Sequence, residues 1–216
     1  LKNDTWLLSK KLYGSDIDAN DNFGMQIALE NDVMAVSAVN KENGGKVYIF
    51  NRIGNVWSEG QILTGSDTVP GDKFGMALVL HGQTLVIGAH GQNSIQGKAY
   101  VFRLEDGVWT EIQTLQPTAT ATGDSFARHL ALYGDTLVAS AYSDDDQASN
   151  AGAVYLYIRK PDGTFELQNI LYASDSIADH KFGSGLTMHE NHIAVSAFGD
   201  DDGGTDAGAV YIFSNQ

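Results

Sequence analysis

The stretch FGSGLTMHENHIAVSAFGDDDGGTDAGAVYIF, residues Phe182 to Phe213, decides how the chain reads, because three further near-copies of it make up most of the sequence. It opens on an apolar run and passes through a short polar turn. A second apolar run follows, ending in Ser196-Ala197, then an acidic glycine-rich loop, then Gly208-Ala-Val-Tyr-Ile-Phe213. Phe23, Phe74, Phe126 and Phe182 each open such a run, and each is followed 15 residues later by an alanine, at Ala38, Ala89, Ala141 and Ala197. A Gly-x-x-Tyr comes next in every copy, at Gly45/Tyr48, Gly97/Tyr100, Gly152/Tyr155 and Gly208/Tyr211. The alanine-to-tyrosine intervals are 10, 11, 14 and 14, so length variation is concentrated in one loop. Self-similarity at a fixed period is the mark of a repeat architecture.

Outward from that core unit, an aromatic at Trp57, Trp109 and Phe165 is followed six residues later by Leu63, Leu115 and Leu171, and the next phenylalanine comes 11 residues after each leucine. The fourth copy has no such segment after it. The N-terminus carries one out of order: Trp6 and Leu12 are six apart, and Leu12 precedes Phe23 by 11. Each repeat holds four runs of strand type, in the first copy Phe23 to Leu29, Val33 to Ala38, Lys46 to Asn51 and Val56 to Leu63. Turn pairs separate the runs: Asn31-Asp32, His81-Gly82, Gly134-Asp135 and Glu190-Asn191 after the first strand, and Gly54-Asn55, Asp106-Gly107 and Asp162-Gly163 after the third. Four-stranded antiparallel units of this size, set radially, make a β-propeller. The sequence therefore predicts one all-β domain over residues 1–216, with four blades starting near residues 22, 73, 125 and 181. Residues 4–13 are expected to complete the last blade and so close the ring without exposed edges.

Composition narrows the function. The net charge of −14, from 13 Lys+Arg against 27 Asp+Glu, argues against a nucleic-acid partner, whose binding draws on clustered cations, and it disfavours anionic membrane surfaces. No apolar run reaches the ~18 residues of a membrane span, and no membrane insertion is expected. With no cysteine there is no disulfide framework and no thiolate metal site. The opening at Leu1 rather than Met is what a processed or excised domain would show. No nucleophile elbow, phosphate-binding loop or dinucleotide fingerprint is present.

Phe-Gly at Phe23-Gly24, Phe74-Gly75 and Phe182-Gly183, followed by Gly88-Ala89 or its Ser-Ala equivalents, resembles the FG-GAP repeat over essentially the whole chain. That family builds the propeller of integrin α-subunits and of many bacterial surface proteins. The resemblance implies an extracellular, cell-surface or periplasmic location and a role in recognition. The calcium loop that integrin-type repeats carry between the first two strands is reduced here to a tight turn, so those sites are not transferred. The proline of the motif is absent, and the third copy has Ala127 in place of glycine, followed by Arg128-His129.

In such a ring, the loops after the second strand and those after the outer strand share one face. That face is expected to hold the acid: Asp144, Asp145 and Asp146 in the third blade, Asp200, Asp201, Asp202 and Asp206 in the fourth, with Asp16, Asp18, Asp21, Asp67, Asp72, Asp124, Asp175 and Asp179 on the connections between blades. These loops and Arg128-His129 at the innermost strand are the candidate ligand-binding residues. Carboxylate oxygens at short spacing are hard ligands, which makes Asp200, Asp202 and Asp206 a candidate calcium site. The bland reading is that Asp and Gly form turns and keep the surface soluble. The fixed spacing of the Phe and Trp residues assigns them to inter-blade packing. His189-Glu190-Asn191-His192 lacks zincin spacing and falls on a turn.

The expected function is thus non-enzymatic recognition of a protein or carbohydrate ligand through the acidic face, with calcium assisting. A glycan-cleaving hydrolase or lyase and a purely structural scaffold are the alternatives. One chain closing a four-bladed ring is favoured over two chains exchanging strands in an eight-bladed one, because closure within a chain has a high effective concentration.

Overall fold

The computed structural model describes residues 5–91 and 95–215 as fifteen strands in four antiparallel sheets. Blade one consists of β1 (Phe23–Glu30), β2 (Val33–Ala38), β3 (Lys46–Ile53) and β4 (Val56–Leu63). Blade two consists of β5 (Ala77–His81), β6 (Thr84–Ala89), β7 (Lys98–Glu105) and β8 (Val108–Leu115). Blade three consists of β9 (Leu130–Tyr133), β10 (Thr136–Ala141), β11 (Ala153–Arg159) and β12 (Phe165–Leu171). Blade four has β13 (Phe182–His189), β14 (His192–Ala197) and β15 (Ala209–Ser214). The expected all-β propeller of four blades is what these sheets form, each an up-and-down meander. The inner strands β1, β5, β9 and β13 stand side by side in chain order.

The first turns are tight because each offers a residue that accepts positive φ: Asn31 at 51°, Gly82 at 58°, Gly134 at 56° and Glu190 at 50°. In blade two the turn is Gly82-Gln83, one residue later than the sequence suggests, since β5 extends through His81. The connection around Asp162-Gly163 is longer than a two-residue hairpin and spans residues 160–164. Asp162 closes it by accepting the Thr164 N–H and hydroxyl.

Each repeat phenylalanine meets two aromatics of its own third strand edge to face. Phe126 lies 5.3 Å from Tyr155 and 6.5 Å from Tyr157, and Phe182 lies 5.3 Å from Tyr211 and 6.0 Å from Phe213. Blades are stitched by backbone bonds from the loop before one third strand to the start of the next blade. The N–H groups of Asp179, Lys181 and Phe182 donate to the carbonyls of Ser149, Asn150 and Ala151. Such an approach leaves no room for a side chain at Gly152, where a Cβ would sit 2.1 Å from the Phe182 carbonyl oxygen.

The irregular third copy has a local compensation. Ala127 takes the positive φ, 61°, that glycine takes in the other blades. At the equivalent contact one blade earlier, a Cβ on Gly75 would lie 2.5 Å from the Ser37 Cβ. The residue facing Ala127 is Gly88 instead of serine, and this opens the space. The strand that follows, β9, is the shortest of the four inner strands.

Closure of the ring by residues 4–13 is not shown among the described residues. Blade four has three strands, β15 has no outer neighbour, and β1 and β13 form no interface comparable to those between consecutive inner strands. Residue 4 lies outside the described residues, and residues 5–14 have no strand pairing. They lie against blade one: Leu12 packs against the cluster of Val36, Ala38, Tyr48 and Phe50, and the Lys10 ammonium donates to the Trp57 carbonyl at 2.9 Å. Equivalent contacts recur between blades, where Gln61 donates to the Trp109 carbonyl and Gln113 to that of Phe165. The segment is therefore seated as the outer strand of a preceding blade, but β15 is not beside it.

Candidate binding face

The tyrosine of each Gly-x-x-Tyr meets an aspartate from one or other loop class, and in blade four from both. The Tyr48 hydroxyl donates to Asp16 at 2.5 Å, Tyr100 to Asp67 at 2.7 Å, Tyr155 to Asp144 at 2.9 Å, and Tyr211 to both Asp175 and Asp200 at 2.7 and 2.6 Å. Burial, reinforced by the facing carboxylates, raises the pKa of all four phenols and keeps them protonated donors. This device was readable in part: an aspartate stands four residues after Leu12, Leu63 and Leu171, and only after Leu115 is it replaced, by Ala119. In that blade Asp144, from the other loop, takes over. Sequence reasoning grouped the carboxylates as a face and missed that Asp16, Asp67, Asp144, Asp175 and Asp200 are committed to its tyrosines.

The acidic loops of blades three and four share one hydrogen-bond scheme. Asp144 accepts the N–H of Asp146 and Asp200 that of Asp202; Asp145 accepts the N–H of Asn150 and Asp201 that of Asp206. In both, the glycine that ends the loop donates to the root aspartate's carbonyl, Gly152 to Asp144 and Gly208 to Asp200. The root carboxylates Asp144 and Asp200 are closed off from solvent, whereas Asp145, Asp146, Asp201, Asp202 and Asp206 are exposed. The structure thus divides the candidate residues into two that hold the loops and five that are presented by them.

Blade one uses the same positions differently. Lys41 stands where Asp144 and Asp200 stand, and its ammonium is ion-paired to Asp18 at 2.9 Å and Asp21 at 3.1 Å. Its neighbour Lys46 pairs with Asp16 at 2.7 Å, and that bond, with the one from Tyr48, lowers the Asp16 pKa. Two ammonium groups thus offset part of the acid on this side, whereas no described Lys or Arg pairs with the acidic loops of blades three and four.

A repeat that begins at an outer strand, as residues 6–12 do, and ends on the third strand of the next sheet is also the unit of a known family: the FG-GAP repeat profile matches residues 6–50, 57–102, 109–157 and 165–213. The chain belongs to the FG-GAP repeat family. No curated protein matches it. Among solved structures this FG-GAP chain is similar to a protein from Lactobacillus plantarum, at 16% identity and TM-score 0.53 over 87% of this chain and 54% of that one. It is also similar to Sqt1 from Chaetomium thermophilum, at 11% identity and TM-score 0.57 over 91% of this chain and 44% of that one. Both likenesses concern the propeller-type fold, and the FG-GAP chain spans about half the length of each.

Among the described residues of this FG-GAP propeller, no group of three or more His, Asp or Glu is arranged to hold a metal ion. Both carboxylate oxygens of Asp200 accept hydrogen bonds, one from Asp202 N–H and one from Tyr211. The three candidate calcium ligands Asp200, Asp202 and Asp206 are therefore split between a buried root and two exposed positions.

Arg128 and His129 sit half-buried in the turn that leads into β9, with the His129 N–H donating to the Ser140 hydroxyl at 3.1 Å. No described bond joins them to the acidic loops. They belong with His90, whose pKa is pushed down to about 4 by burial and then by Arg128, Lys73 and His129. The same two causes, burial and Arg128, lower His129. Arg128 thus acts on two partly buried histidines, His90 and His129.

Among the described residues no helix is long and apolar enough to cross a membrane.

Proposed function

We propose that this FG-GAP propeller is a recognition module of the cell exterior or envelope, and that it engages a protein or carbohydrate ligand through the acidic loops of blades three and four. The observation that supports this reading most directly is the shared scheme of the two loops. One buried carboxylate and several backbone bonds fix each loop, so the exposed carboxylates beyond it are held in place before any ligand arrives. Preorganised loops lose less conformational entropy on binding. Exposed carboxylates on such loops suit ammonium and guanidinium groups of a protein, and they accept hydrogen bonds from vicinal sugar hydroxyls. Among the described residues, the side chains of Asp202 and Asp206 accept no hydrogen bond.

A hydrolytic or lyase role would require a carboxyl group of raised pKa in contact with substrate. Asp144 and Asp124 have raised pKa values, but both are closed off from solvent. The recognition reading therefore has the better support. Calcium enters it as an ion that the exposed carboxylates would share with the ligand's own oxygens.

The test is binding of the purified chain to glycan and protein arrays, run in parallel in millimolar calcium and in EGTA. Binding that is lost in the Asp146→Lys/Asp202→Lys double variant, with an unchanged melting transition, is the expected result. Undiminished binding by that variant would overturn the assignment of the site, and equal binding in calcium and EGTA would remove calcium from it.

A further inference from the structure

A groove of about 370 Å³ opens between blades three and four, lined on its apolar side by Leu156, Leu171, Met188, Ile193 and Phe213. The repeat identifies what this groove lacks. One blade earlier, the equivalent residues are Val101, Leu115, Leu132, Leu137 and Tyr157, and they form a single cluster around Phe165, which is 2% exposed. Phe165 is the aromatic that opens the outer strand of blade three. Trp109 fills the corresponding seat between blades one and two at 4% exposure. The groove is thus the vacant seat of an outer-strand aromatic. Asn169 lines it where Gln113 grips the backbone of Phe165 from both sides, and the Asn169 carbonyl oxygen is instead turned onto the N–H of Ile170.

The chain also carries an unseated outer-strand aromatic. Trp6 is 98% exposed, with Leu7 and Leu8 beside it at 81% and 89%, in a segment already held against blade one as an outer strand would be. Further apolar positions are uncovered at the two ends of the row. Val210 and Ile212 on β15 are 66% and 62% exposed, whereas Val47 and Ile49, their counterparts on β3, are 0% and 1%. At the other end, Ile27 and Leu29 of β1 are 59% and 61% exposed. Both ends therefore carry the apolar residues of an inter-blade surface, and among the described residues blades one and four share no interface like those between consecutive blades.

We infer that two copies of this chain close one eight-bladed ring, each lending its Trp6 segment to the other as the fourth strand of blade four. The two seams are identical and related by a two-fold axis, which is the arrangement that closes without leaving a sheet edge. The register follows from the intact blades. Trp57 pairs with Arg52 and Ser58 with Asn51 in blade one, and Thr110 pairs with Arg103 in blade two. Trp6 of one copy then lies opposite Asn215 of the other, and Leu7 opposite Ser214. The occupant is a second copy because the row of four blades leaves β1 and β13 apart, so its own Trp6 segment is not beside β15. The same segment has the aromatic and leucine spacing that the seat accepts in blades one to three.

The chain has no cysteine, so engineered disulfides report the seam cleanly. The Leu7→Cys and Ser214→Cys variants are mixed and oxidised, and each is also oxidised alone. The inference requires a covalent dimer of twice 23.2 kDa from the mixture and none from either variant alone. Light scattering of the unmodified chain should give the same doubled mass, and Trp6→Ala should weaken the dimer by about thirtyfold or more, as loss of a buried aromatic anchor does. Because Trp6 is exposed in the single chain, this variant keeps its fold, which circular dichroism verifies. A monomer that persists to high micromolar concentration overturns the inference. So does an internal disulfide in the Leu7→Cys/Ser214→Cys double variant, which would mean a four-bladed ring closed by one chain. An open series of higher oligomers overturns it too, because it would place the copies head to tail without closure.

Discussion

Blades three and four carry the same acidic loop with the same internal hydrogen bonds, yet the two carboxylates at its root are shifted in opposite directions. Burial pushes Asp144 up to about 6 against the pull of Asp146 N–H and Tyr155. Asp200 is lowered instead, chiefly by the Tyr211 hydroxyl, with burial opposing and Asp202 N–H and His180 assisting. The cause lies outside the loops. Blade four roofs the loop of blade three through the bonds from Asp179, Lys181 and Phe182, and Asp124, itself raised by burial, adds a second carboxyl with no cation beside it. No blade roofs the loop of blade four, so Asp200 has only a thin cover, with residues 201–208 exposed above it. His180 replaces Asp124 at the equivalent position and lies 3.6 Å from Asp200. An identical local scheme therefore becomes a strained acid in one blade and a relaxed one in the next, according to its neighbour.

The largest test of this contrast concerns the outer aromatics. Phe165→Ala in the complete blade should cost about 3–5 kcal/mol of unfolding free energy, while Trp6→Ala should move the single chain by no more than about 0.5 kcal/mol. Urea titrations at low protein concentration measure both, and equal losses would mean that Trp6 is already seated within one chain.

Smaller, but specific to the loops, is the loss of one hydroxyl. Tyr155→Phe leaves the buried Asp144 without its partner and should cost about 1–3 kcal/mol. Tyr211→Phe should cost less, because the Asp200 side is closer to water. The reverse order in thermal melts would remove neighbour burial as the cause of the difference.

The asparagine pair reads the sign of the shifts. A carboxyl whose pKa is raised on folding binds its proton more tightly in the native state, so Asp144 costs stability as pH rises from about 4 to about 6. Asp144→Asn should therefore gain stability relative to the parent across that window and hold the gain above it. Asp200 has a lowered pKa and contributes stability above the ordinary aspartate value of 3.8 that is lost as the pH falls below it. Asp200→Asn should accordingly be less stable than the parent at pH 7, with the deficit closing in acid. Parallel curves for the two variants would contradict the comparison. The smallest expected effect is on stability in Asp146→Lys and Asp202→Lys, which should stay within about 0.5 kcal/mol because both side chains are exposed.

Much of this was legible from spacing. Four equal Phe-to-Ala intervals and the recurring Gly-x-x-Tyr located the strands to within a few residues, because a strand's side-chain period and its turns are local properties of the chain. The assignment of Phe74, Phe126, Phe182, Trp109 and Phe165 to packing also follows from periodicity, and all five are buried. Trp6 has the same spacing and lies in solvent. Its spacing records which strand it resembles, and its burial depends on a β15 that is not adjacent. Likewise the acidic loops were visible as composition, but their division into rooted and presented carboxylates was not.

The sequence by itself determined the propeller class, the number of repeats and the identity of the outer-strand segment at the N-terminus, since each rests on local pattern repeated at fixed distance. Only the tertiary structure decided which aspartates are bound by tyrosines, which root carboxyl is raised, and that among the described residues no strand pairs with the outer edge of β15. Those outcomes depend on which blade lies against which, and that contact between distant segments sets desolvation and edge pairing in ways that no single repeat encodes.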